Sequence, residues 1–197
     1  MSPRAKQPKK PATVAQVRII GGQWRSRKLP FPDIEGLRPT PDRVRETLFN
    51  WIQAAVPGAE CLDLFAGSGA LGFEALSRGA KSCTFVDLAQ ASCQSLRDNI
   101  ALLNTTSANV VQQDAISWLK QPTATADKAN KYHIVFLDPP FNKNHLQGIC
   151  QLLLDQQMLH DNALIYIESE PGAALQCPWT MHREKISGQV HYRLYKT

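Results

Sequence analysis

From residue 60 onward the chain alternates short apolar runs with amphipathic segments, and this alternation constrains the fold more than any other feature. Strands are predicted at 61–65, 83–87, 109–112, 134–138 and 163–168, with a final hairpin around 182–195. Helices are predicted at 69–78, 90–103, 114–120 and 145–156. This order predicts an α/β fold whose mostly parallel sheet has helices on both faces. The turn in ISGQV, residues 186–190, predicts an antiparallel hairpin at the end of the sheet.

The positive charge of the chain is concentrated in its first quarter. Residues 1–45 contain eleven Lys or Arg and three Asp or Glu, whereas residues 46–197 contain eleven and fourteen. Such asymmetry indicates that a polyanion docks at one end of the protein. Residues 1–16, rich in Pro, Lys and Ala, are predicted to form a disordered basic tail. For residues 1–13 a merely solvated tail is an equal alternative.

The segments VRII and QWRSRKL flank Gly21-Gly22 and predict a β-hairpin with a two-residue glycine turn, in an extension spanning residues 17–36. A basic ribbon of this kind can lie along a phosphate backbone. The side chains expected on it are Arg18, Trp24, Arg25, Arg27 and Lys28. Trp24, like Trp179, fits either the core or a stacking platform for a base.

The segment TPDRVRETLFNWIQAA predicts an amphipathic helix. Thr40 fits its N-cap and Pro41 its first helical position. The apolar face is expected to contain Val44, Leu48, Trp51, Ile52 and Ala55.

Several classes of protein are disfavoured by composition. The chain has no run of 18 apolar residues, and its basic N-terminus has no apolar segment behind it, so neither a membrane span nor a secretory signal is predicted. Its five cysteines include no C-x-x-C pair and indicate reduced thiols in the cytoplasm. The five histidines show no ligand spacing and are interpreted as structural or surface residues, so no metal site is predicted. From its size we expect a monomer.

The stretch CLDLFAGSGALGFEAL places Gly67-x-Gly69-x-x-Gly72 after a strand and at the start of a helix. Such loops approach a ligand closely, and both dinucleotide enzymes and S-adenosylmethionine (AdoMet) methyltransferases use them. Asp63, a charge inside an apolar strand, requires a partner such as a ligand ammonium or the N–H groups of the loop, and it favours AdoMet. Asp87 ends the next strand, where a carboxylate can accept ribose hydroxyls in either class of enzyme.

Two further acids follow predicted strands. Asp114 could accept a hydrogen bond from an adenine amine, with the N–H of Ala115 donating to the ring, or it could simply cap the next helix. Asp138 begins the stretch Asp138-Pro139-Pro140-Phe141, in which the prolines fix the backbone. The Asp138 carboxylate and the Pro139 carbonyl would form two acceptors for an exocyclic –NH₂, while Phe141 stacks on the base. Paired acceptors favour the nucleophilic form of such an amine, and alignment with a sulfonium methyl completes the requirement for transfer.

These motifs together resemble a known family. DLFAGSGALGFEAL with FLDPPF is similar to the amino-methyltransferases that share a D/N-P-P-Y/F motif. RIIGGQWRSRKL, LRPTPDRVRETLFNWI and the terminal GQVHYRLY resemble the bacterial 16S ribosomal RNA guanine-N2 methyltransferases of the RsmD type, from about residue 17 to the end. Relatives commonly have Glu at the position of Asp87 and another acid at that of Ala89.

The resemblance implies a Rossmann-like class I methyltransferase fold over residues 37–197, with a seven-stranded sheet. It implies AdoMet as cofactor, guanine N2 in 16S ribosomal RNA as target, and an assembled or assembling small ribosomal subunit as substrate. The target base would be held by Asp138, Pro139, Pro140 and Phe141. Candidate cofactor residues are Asp63, Phe65, Ala66, Gly67, Ser68, Gly69, Asp87, Asp114, Ala115 and, in the RPT segment, Thr40. Candidate RNA-binding residues are Arg18, Arg25, Arg27, Lys28, Arg38 and Arg43.

Three alternatives remain open. The first is an adenine-N6 methyltransferase acting on DNA or RNA, because the acceptors recognise an amine rather than a particular base. The second is a non-catalytic RNA-binding module, which the intact Asp63 and Asp138 disfavour. The third is a nicotinamide oxidoreductase, for which nothing beyond the glycine loop suggests a hydride site.

Overall fold

Nine strands and five helices follow one another along the parts of the chain that the computed structural model describes, residues 15–34, 39–121, 131–140, 146–173 and 175–197. The order is β1 (Ala15–Arg18), β2 (Lys28–Phe31), α1 (Asp42–Trp51), β3 (Glu60–Asp63), α2 (Ala70–Ser77), β4 (Ser82–Asp87), α3 (Gln90–Leu103), β5 (Ala108–Gln112), α4 (Ala115–Leu119), β6 (Tyr132–Leu137), α5 (Leu146–Asp155), β7 (Leu159–Ser169), β8 (Thr180–Ser187) and β9 (Val190–Lys196). Each predicted strand and helix after residue 60 is therefore confirmed; α3 has the predicted bounds, and the ends of the other elements are shifted by a few residues.

Seven strands form one sheet in the order β5-β4-β3-β6-β7-β9-β8. The first five in this order are parallel, and β9 is antiparallel to both β7 and β8. The parallel centre and the antiparallel end are both as predicted. The hairpin turn also agrees, because Ser187 pairs with Val190 around Gly188 and Gln189.

Helices cover both faces of the sheet, and the two cores follow the alternation of side chains along each strand. One core joins Phe85, Phe136 and Tyr166 to apolar residues of α1, α2 and α3. The other joins Val86, Leu137 and Ile167 to α4 and α5. The class I methyltransferase architecture expected from the resemblance is thus confirmed. No helix in the described part of the chain is long and apolar enough to span a bilayer.

The N-terminal ribbon differs from its prediction. β1 and β2 pair antiparallel, as expected, from Ala15 opposite Phe31 to Arg18 opposite Lys28. The two-residue glycine turn is wrong, because residues 19–27 form a longer connection. This connection docks on the end of α2, where Gln23 N and Trp24 N donate to Ser77. Trp24 is buried in the core, and so is Trp179.

The start of α1 also differs from its prediction. Pro41, not Thr40, occupies the N-cap position, and no side chain caps the helix. The Thr40 hydroxyl instead donates to Glu168 Oε1 at 2.8 Å. Val44, Leu48 and Ile52 are buried as expected, Trp51 is half-buried against Tyr192, and Ala55 is exposed beyond the end of the helix.

A buried ion pair joins these parts. Arg45 of α1 and Glu74 of α2 have side chains that are both 0% exposed, with 3.4 Å between Arg45 Nη1 and Glu74 Oε2. Arg45 also donates to the carbonyl oxygens of Thr40 and Arg18. Glu74 accepts from the backbone N–H groups of Ile20 and Gly21 and from Arg78 Nε. The pair therefore fixes the N-terminal connection and the segment before α1 against α2.

We expect Arg45→Met to lower the free energy of unfolding by about 3 kcal/mol, because it removes one of the two cationic partners of the buried Glu74 carboxylate and leaves two carbonyl oxygens without their Arg45 donor. The measurement is urea unfolding at neutral pH. Arg43→Met, on the exposed side of the same helix, is the matched control and should change the value by less than about 0.5 kcal/mol. Equal effects of the two substitutions would contradict this role of Arg45.

Candidate active site

Four acidic side chains lie at the carboxyl ends of four adjacent strands. The register pairs Asp63 of β3 with Phe85 and Phe136, and it pairs Phe136 with Tyr166. Paired residues of a parallel sheet project to the same face, and so do residues two positions further along a strand. The acids in question are Asp87, Asp63, Asp138 and Glu168, in the order of β4, β3, β6 and β7. All four therefore project to the face that α1, α2 and α3 cover.

The centre of this row is the switch point of the sheet. From β3 the chain continues to β4 and β5 on one side, and from β6 it continues to β7 on the other. Open α/β sheets bind ligands in the crevice at such a point, beyond the carboxyl ends of the strands. Asp63 and Asp138 are on the two strands that flank it, so the geometry identifies this crevice as the candidate active site.

The glycine loop connects β3 to α2 at one side of the crevice. Gly69 is the N-cap of α2 with φ 74°, a conformation that favours glycine. Gly72 has a packing role instead, because a Cβ there would lie 2.3 Å from the Phe85 ring. Phe65 of the loop is half-buried, whereas Ala66, Gly67 and Ser68 are buried. The predicted cofactor residues of the loop are thus brought together at the crevice.

Asp63 is 3% exposed, and its Oδ2 accepts from Gly72 N at 3.0 Å. The N–H partner that the sequence suggested for this acid is therefore present, supplied by the first turns of α2. Burial raises the pKa of Asp63 to about 7, and the negative charges of Asp87 and Glu168 add to this effect. An acid in this state is ready to ionise when a cation binds nearby.

The Asp87 carboxylate holds the glycine loop from the neighbouring strand. Its Oδ2 accepts from Gly67 N and its Oδ1 from Ala89 N, both at 2.8 Å. Each oxygen keeps a second lone pair, so the predicted contact with ribose remains possible and stays a prediction. Asp114 Oδ1 accepts from Ser117 N and caps α4, which is the helix-capping alternative. Its proposed contact with adenine, and that of the buried Ala115, also stay predictions.

Asp138 directly follows β6 and is half-buried, whereas Pro139 is buried and Pro140 is exposed. The pairing of Leu137 with Ile167 places Asp138 beside Glu168 of β7. Burial raises the pKa of Asp138 well above its usual range, and the charges of Glu168 and Asp63 raise it further. Phe141, the fourth residue of the predicted base-binding motif, lies outside the described residues.

Glu168 belongs to the same cluster, although sequence reasoning missed it. It is 3% exposed, and its Oε1 accepts from the hydroxyls of Thr40 and Tyr166, at 2.8 and 2.9 Å. Burial raises the pKa of Glu168, while the two hydroxyl donors lower it. Its position at the end of the strand predicted at 163–168 is the same signal that identified the other acids. No Lys or Arg among the described residues forms an ion pair with Asp63, Asp138 or Glu168.

The predicted RNA-binding residues lie on the N-terminal part of the structure. Arg18 and Lys28 are on the ribbon, Arg25 and Arg27 are on the connection rather than on a strand, and Arg43 is on α1. All five are exposed. Arg18 also pairs with Asp42, at 2.8 Å between Nη2 and Oδ2. Arg38 lies outside the described residues.

Comparison with known proteins agrees with this architecture. Residues 17–196 match the family described as conserved hypothetical protein 95. The ribosomal RNA small subunit methyltransferase D of Escherichia coli K12 is 52% identical over 184 residues, 92% of this chain and 90% of the relative. The protein of the same name from Haemophilus influenzae is 47% identical, over 94% and 96% of the two chains. The chain belongs to the RsmD family of ribosomal RNA small subunit methyltransferases.

Solved structures carry the fold of this family. A putative methyltransferase, yhhF from Escherichia coli, superposes with a TM-score of 0.82 at 51% identity, covering 92% of this chain and 98% of that one. A more distant putative methyltransferase, SMU.776, was solved in complex with SAH. It is 19% identical with a TM-score of 0.61, over 79% of this chain and 48% of that one, and it shares the fold.

We expect Asp63→Asn to reduce the dependence of stability on pH between pH 5 and pH 8. Because the folded pKa of about 7 lies above the ordinary value of 3.8, the unfolded chain releases this proton at lower pH, and stability falls as the pH rises through that interval. Asparagine does not titrate, so the variant should avoid about 1 to 4 kcal/mol of this fall. Urea unfolding without cofactor, at pH 5 and at pH 8, measures the change in the free energy of unfolding for the wild type and the variant.

The control for this experiment is Asp98→Asn, an exposed carboxylate on α3 that should keep the pH dependence of the wild type. An identical fall in the wild type and in Asp63→Asn would show that Asp63 ionises at its ordinary pKa in the folded protein.

Proposed function

We propose that this protein transfers a methyl group from AdoMet to the exocyclic N2 amine of one guanine in 16S ribosomal RNA, within an assembled or assembling small ribosomal subunit. The relatives named as small subunit RNA methyltransferases support the reaction and the RNA. The observation that supports an exocyclic amine as the target is the position of Asp138, which lies at the switch point beside Glu168 and is followed by two prolines. Adenine N6 is the alternative target, since the same acceptors fit its amine.

The cofactor is S-adenosylmethionine, and the acids of the crevice fit it. Three acidic groups with raised pKa values lie together, and no basic side chain of the described chain pairs with them. A ligand with a cationic ammonium and a cationic sulfonium would supply the missing positive charge. Asp63, Asp87 and the backbone of residues 65–69 would hold it, with Asp114 and Ala115 at the adenine end. When bound, the cofactor supplies an electrophilic methyl group on a positively charged sulfur.

Asp138 and the Pro139 carbonyl would hold the target amine. An exocyclic amine is a weak nucleophile, because its lone pair is delocalised into the ring. Two acceptors on its N–H groups favour the pyramidal, nucleophilic form and stabilise the positive charge that develops on nitrogen. As the amine takes up the methyl group, the Asp138 carboxylate would accept one of its N–H protons. Phe141 would stack on the base.

Thr40 and Glu168 would position Asp138 for the target amine. The Thr40 carbonyl oxygen accepts from the buried Arg45, and its hydroxyl donates to Glu168. This chain of bonds fixes the Glu168 carboxylate beside Asp138, where its charge raises the pKa of Asp138. A raised pKa makes Asp138 a better acceptor for the departing proton. We infer that Glu168 positions and tunes Asp138 without contacting the base.

The exposed basic residues of the N-terminal part would bind the RNA backbone. Arg25, Arg27 and Lys28 follow one another closely on an exposed surface. The connection that bears Arg25 and Arg27 is fixed to α2 through Ser77 and Glu74. Because α2 begins at the glycine loop, phosphate contacts there would place the RNA in a defined position relative to the crevice.

The decisive experiment maps the modified nucleotide. Small ribosomal subunits from cells lacking the enzyme, and the naked 16S RNA from the same cells, are incubated with the protein and labelled AdoMet. We expect N2-methylguanosine at one position, with the particles as the better substrate, detected by nuclease digestion and mass spectrometry. N6-methyladenosine would establish the alternative target, and no transfer to either RNA would refute the proposal.

In the same assay we expect Asp138→Ala to reduce the rate of methyl transfer about a thousandfold, because the variant loses a transition-state acceptor. AdoMet affinity, measured by calorimetry, should remain within a few-fold of the wild type. Asp98→Ala, on exposed α3, is the control and should be fully active. Normal turnover with weakened AdoMet binding would instead assign Asp138 to the cofactor.

We also expect the triple substitution of Arg25, Arg27 and Lys28 by Gln to weaken RNA binding and its salt dependence. Each lost phosphate contact should reduce the slope of log affinity against log salt by roughly 0.7 to 0.9. The control neutralises three exposed basic residues of the β8–β9 edge, Arg183, Lys185 and Lys196. Equal slopes of log affinity against log salt for the two triple variants would show that the N-terminal connection has only a structural role.

A further inference from the structure

Three potential metal ligands occupy adjacent positions at the amino edge of the sheet, opposite the crevice. Glu60 begins β3, His133 is the second residue of β6, and His160 is the second residue of β7. The pairing of Cys61 with Ile134 places Glu60 beside His133. The pairing of Tyr132 with Leu159 places His133 beside His160. Three neighbouring strands thus bring together residues that are up to 100 positions apart in sequence.

The distances among these side chains are close to those of a metal site. Glu60 Oε2 lies 3.4 Å from His160 Nε2 and 3.8 Å from His133 Nδ1. The candidate ligand atoms of all three lie within 4.8 Å of one another. Tetrahedral zinc, with bonds of about 2.0 to 2.1 Å, requires neighbouring ligand atoms about 3.3 Å apart. Small side-chain rotations, rather than any movement of the strands, would close the difference.

The imidazole rings have the freedom for these rotations. The rings of His133 and His160 stack with centroids 3.8 Å apart, and a shared metal would require them to splay by about an ångström. Their side chains are 45% and 37% exposed, whereas Glu60 is 14% exposed. A metal ion can therefore enter from solvent and displace the stacking contact.

Metal binding would replace two long hydrogen bonds of the cluster. Lys81 Nζ binds Glu60 Oε1 at 2.8 Å, whereas Oε2 has a contact of 3.4 Å with His160 Nε2, which Zn²⁺ would displace as the His160 ring proton moves to Nδ1. His133 Nδ1 accepts from the backbone N–H of Glu60 at 3.2 Å, so this nitrogen carries a lone pair and the ring proton is on Nε2. A metal bound to Nδ1 would take the place of that long hydrogen bond.

We propose that Glu60, His133 and His160 bind one Zn²⁺ ion, with water as the fourth ligand. Two imidazoles and one carboxylate form a set of nitrogen and oxygen ligands that suits zinc. The histidines were interpreted from sequence as structural or surface residues, and only the register of the sheet unites them. The bound ion ties the amino ends of β3, β6 and β7, the strands whose carboxyl ends bear Asp63, Asp138 and Glu168.

The test titrates ZnCl₂ into tag-free, chelator-treated protein by calorimetry. We expect one equivalent to bind with a Kd of about a micromolar or tighter. A 100-fold excess of free Zn²⁺ over Kd should raise the Tm by about 5 °C or more. His160→Ala and Glu60→Gln should each weaken binding at least tenfold. His182→Ala, an exposed histidine on β8, is the control and should leave the Kd unchanged.

AdoMet affinity serves as the check on folding, because the cofactor crevice is at the other edge of the sheet. If His160→Ala loses AdoMet binding as well, Glu60→Gln decides the outcome. Binding of one equivalent that both ligand variants weaken, and His182→Ala does not, supports the site. An absence of Zn²⁺ binding in the wild type overturns the proposal. Equal affinity in the wild type and in the folded ligand variants overturns it too.

Discussion

The buried pair of Arg45 and Glu74 is the interaction on which the rest of the structure depends. Two charges without exposure to water are tolerated only when their hydrogen-bonding capacity is used. Here the donors and acceptors that the two side chains do not use on each other bond to backbone groups of other segments. Arg45 donates to the carbonyls of Arg18 and Thr40, and Glu74 accepts from the amides of Ile20 and Gly21. The pair therefore connects the N-terminal connection to the helix that follows the glycine loop. The surfaces proposed to bind RNA and cofactor would therefore share one rigid support.

A second chain of bonds leads from this pair into the crevice. Arg45 donates to the Thr40 carbonyl, and the Thr40 hydroxyl donates to Glu168. Burial raises the pKa of Asp138, and the charge of Glu168 raises it further. The crevice concentrates carboxyl groups that no Lys or Arg of the described residues neutralises. Such a site gains free energy when a cationic ligand arrives. If the cofactor binds there as proposed, its affinity is obtained at the cost of stability in the free protein.

The sequence predicted what depends on local burial and missed what depends on distant pairing. The helix predicted at 90–103 is α3 to the residue, because its apolar spacing reports its own packed face. Gly21-Gly22, in contrast, matches the local pattern of a hairpin turn. Its actual conformation depends on a contact with Ser77, 56 positions from Gly21, which the local pattern does not reveal. Thr40 fits an N-cap, yet its hydroxyl bonds a residue 128 positions away. Glu168 was predictable by the rule that identified the other acids, whereas the neighbourhood of Glu60 and His160 was not.

The position of β9 has a consequence for how the protein acquires activity. β9 lies between β7 and β8, although it is the last of the three to be synthesised. Until residues 190–196 are available, β7 presents an open edge, and β8 has no partner in this sheet. Completion of the sheet therefore awaits a late, long-range pairing, which slows folding and leaves a strand edge open to other chains. Glu168 lies on that unfinished strand, so in a nascent chain the proposed active site is complete only after β9 inserts.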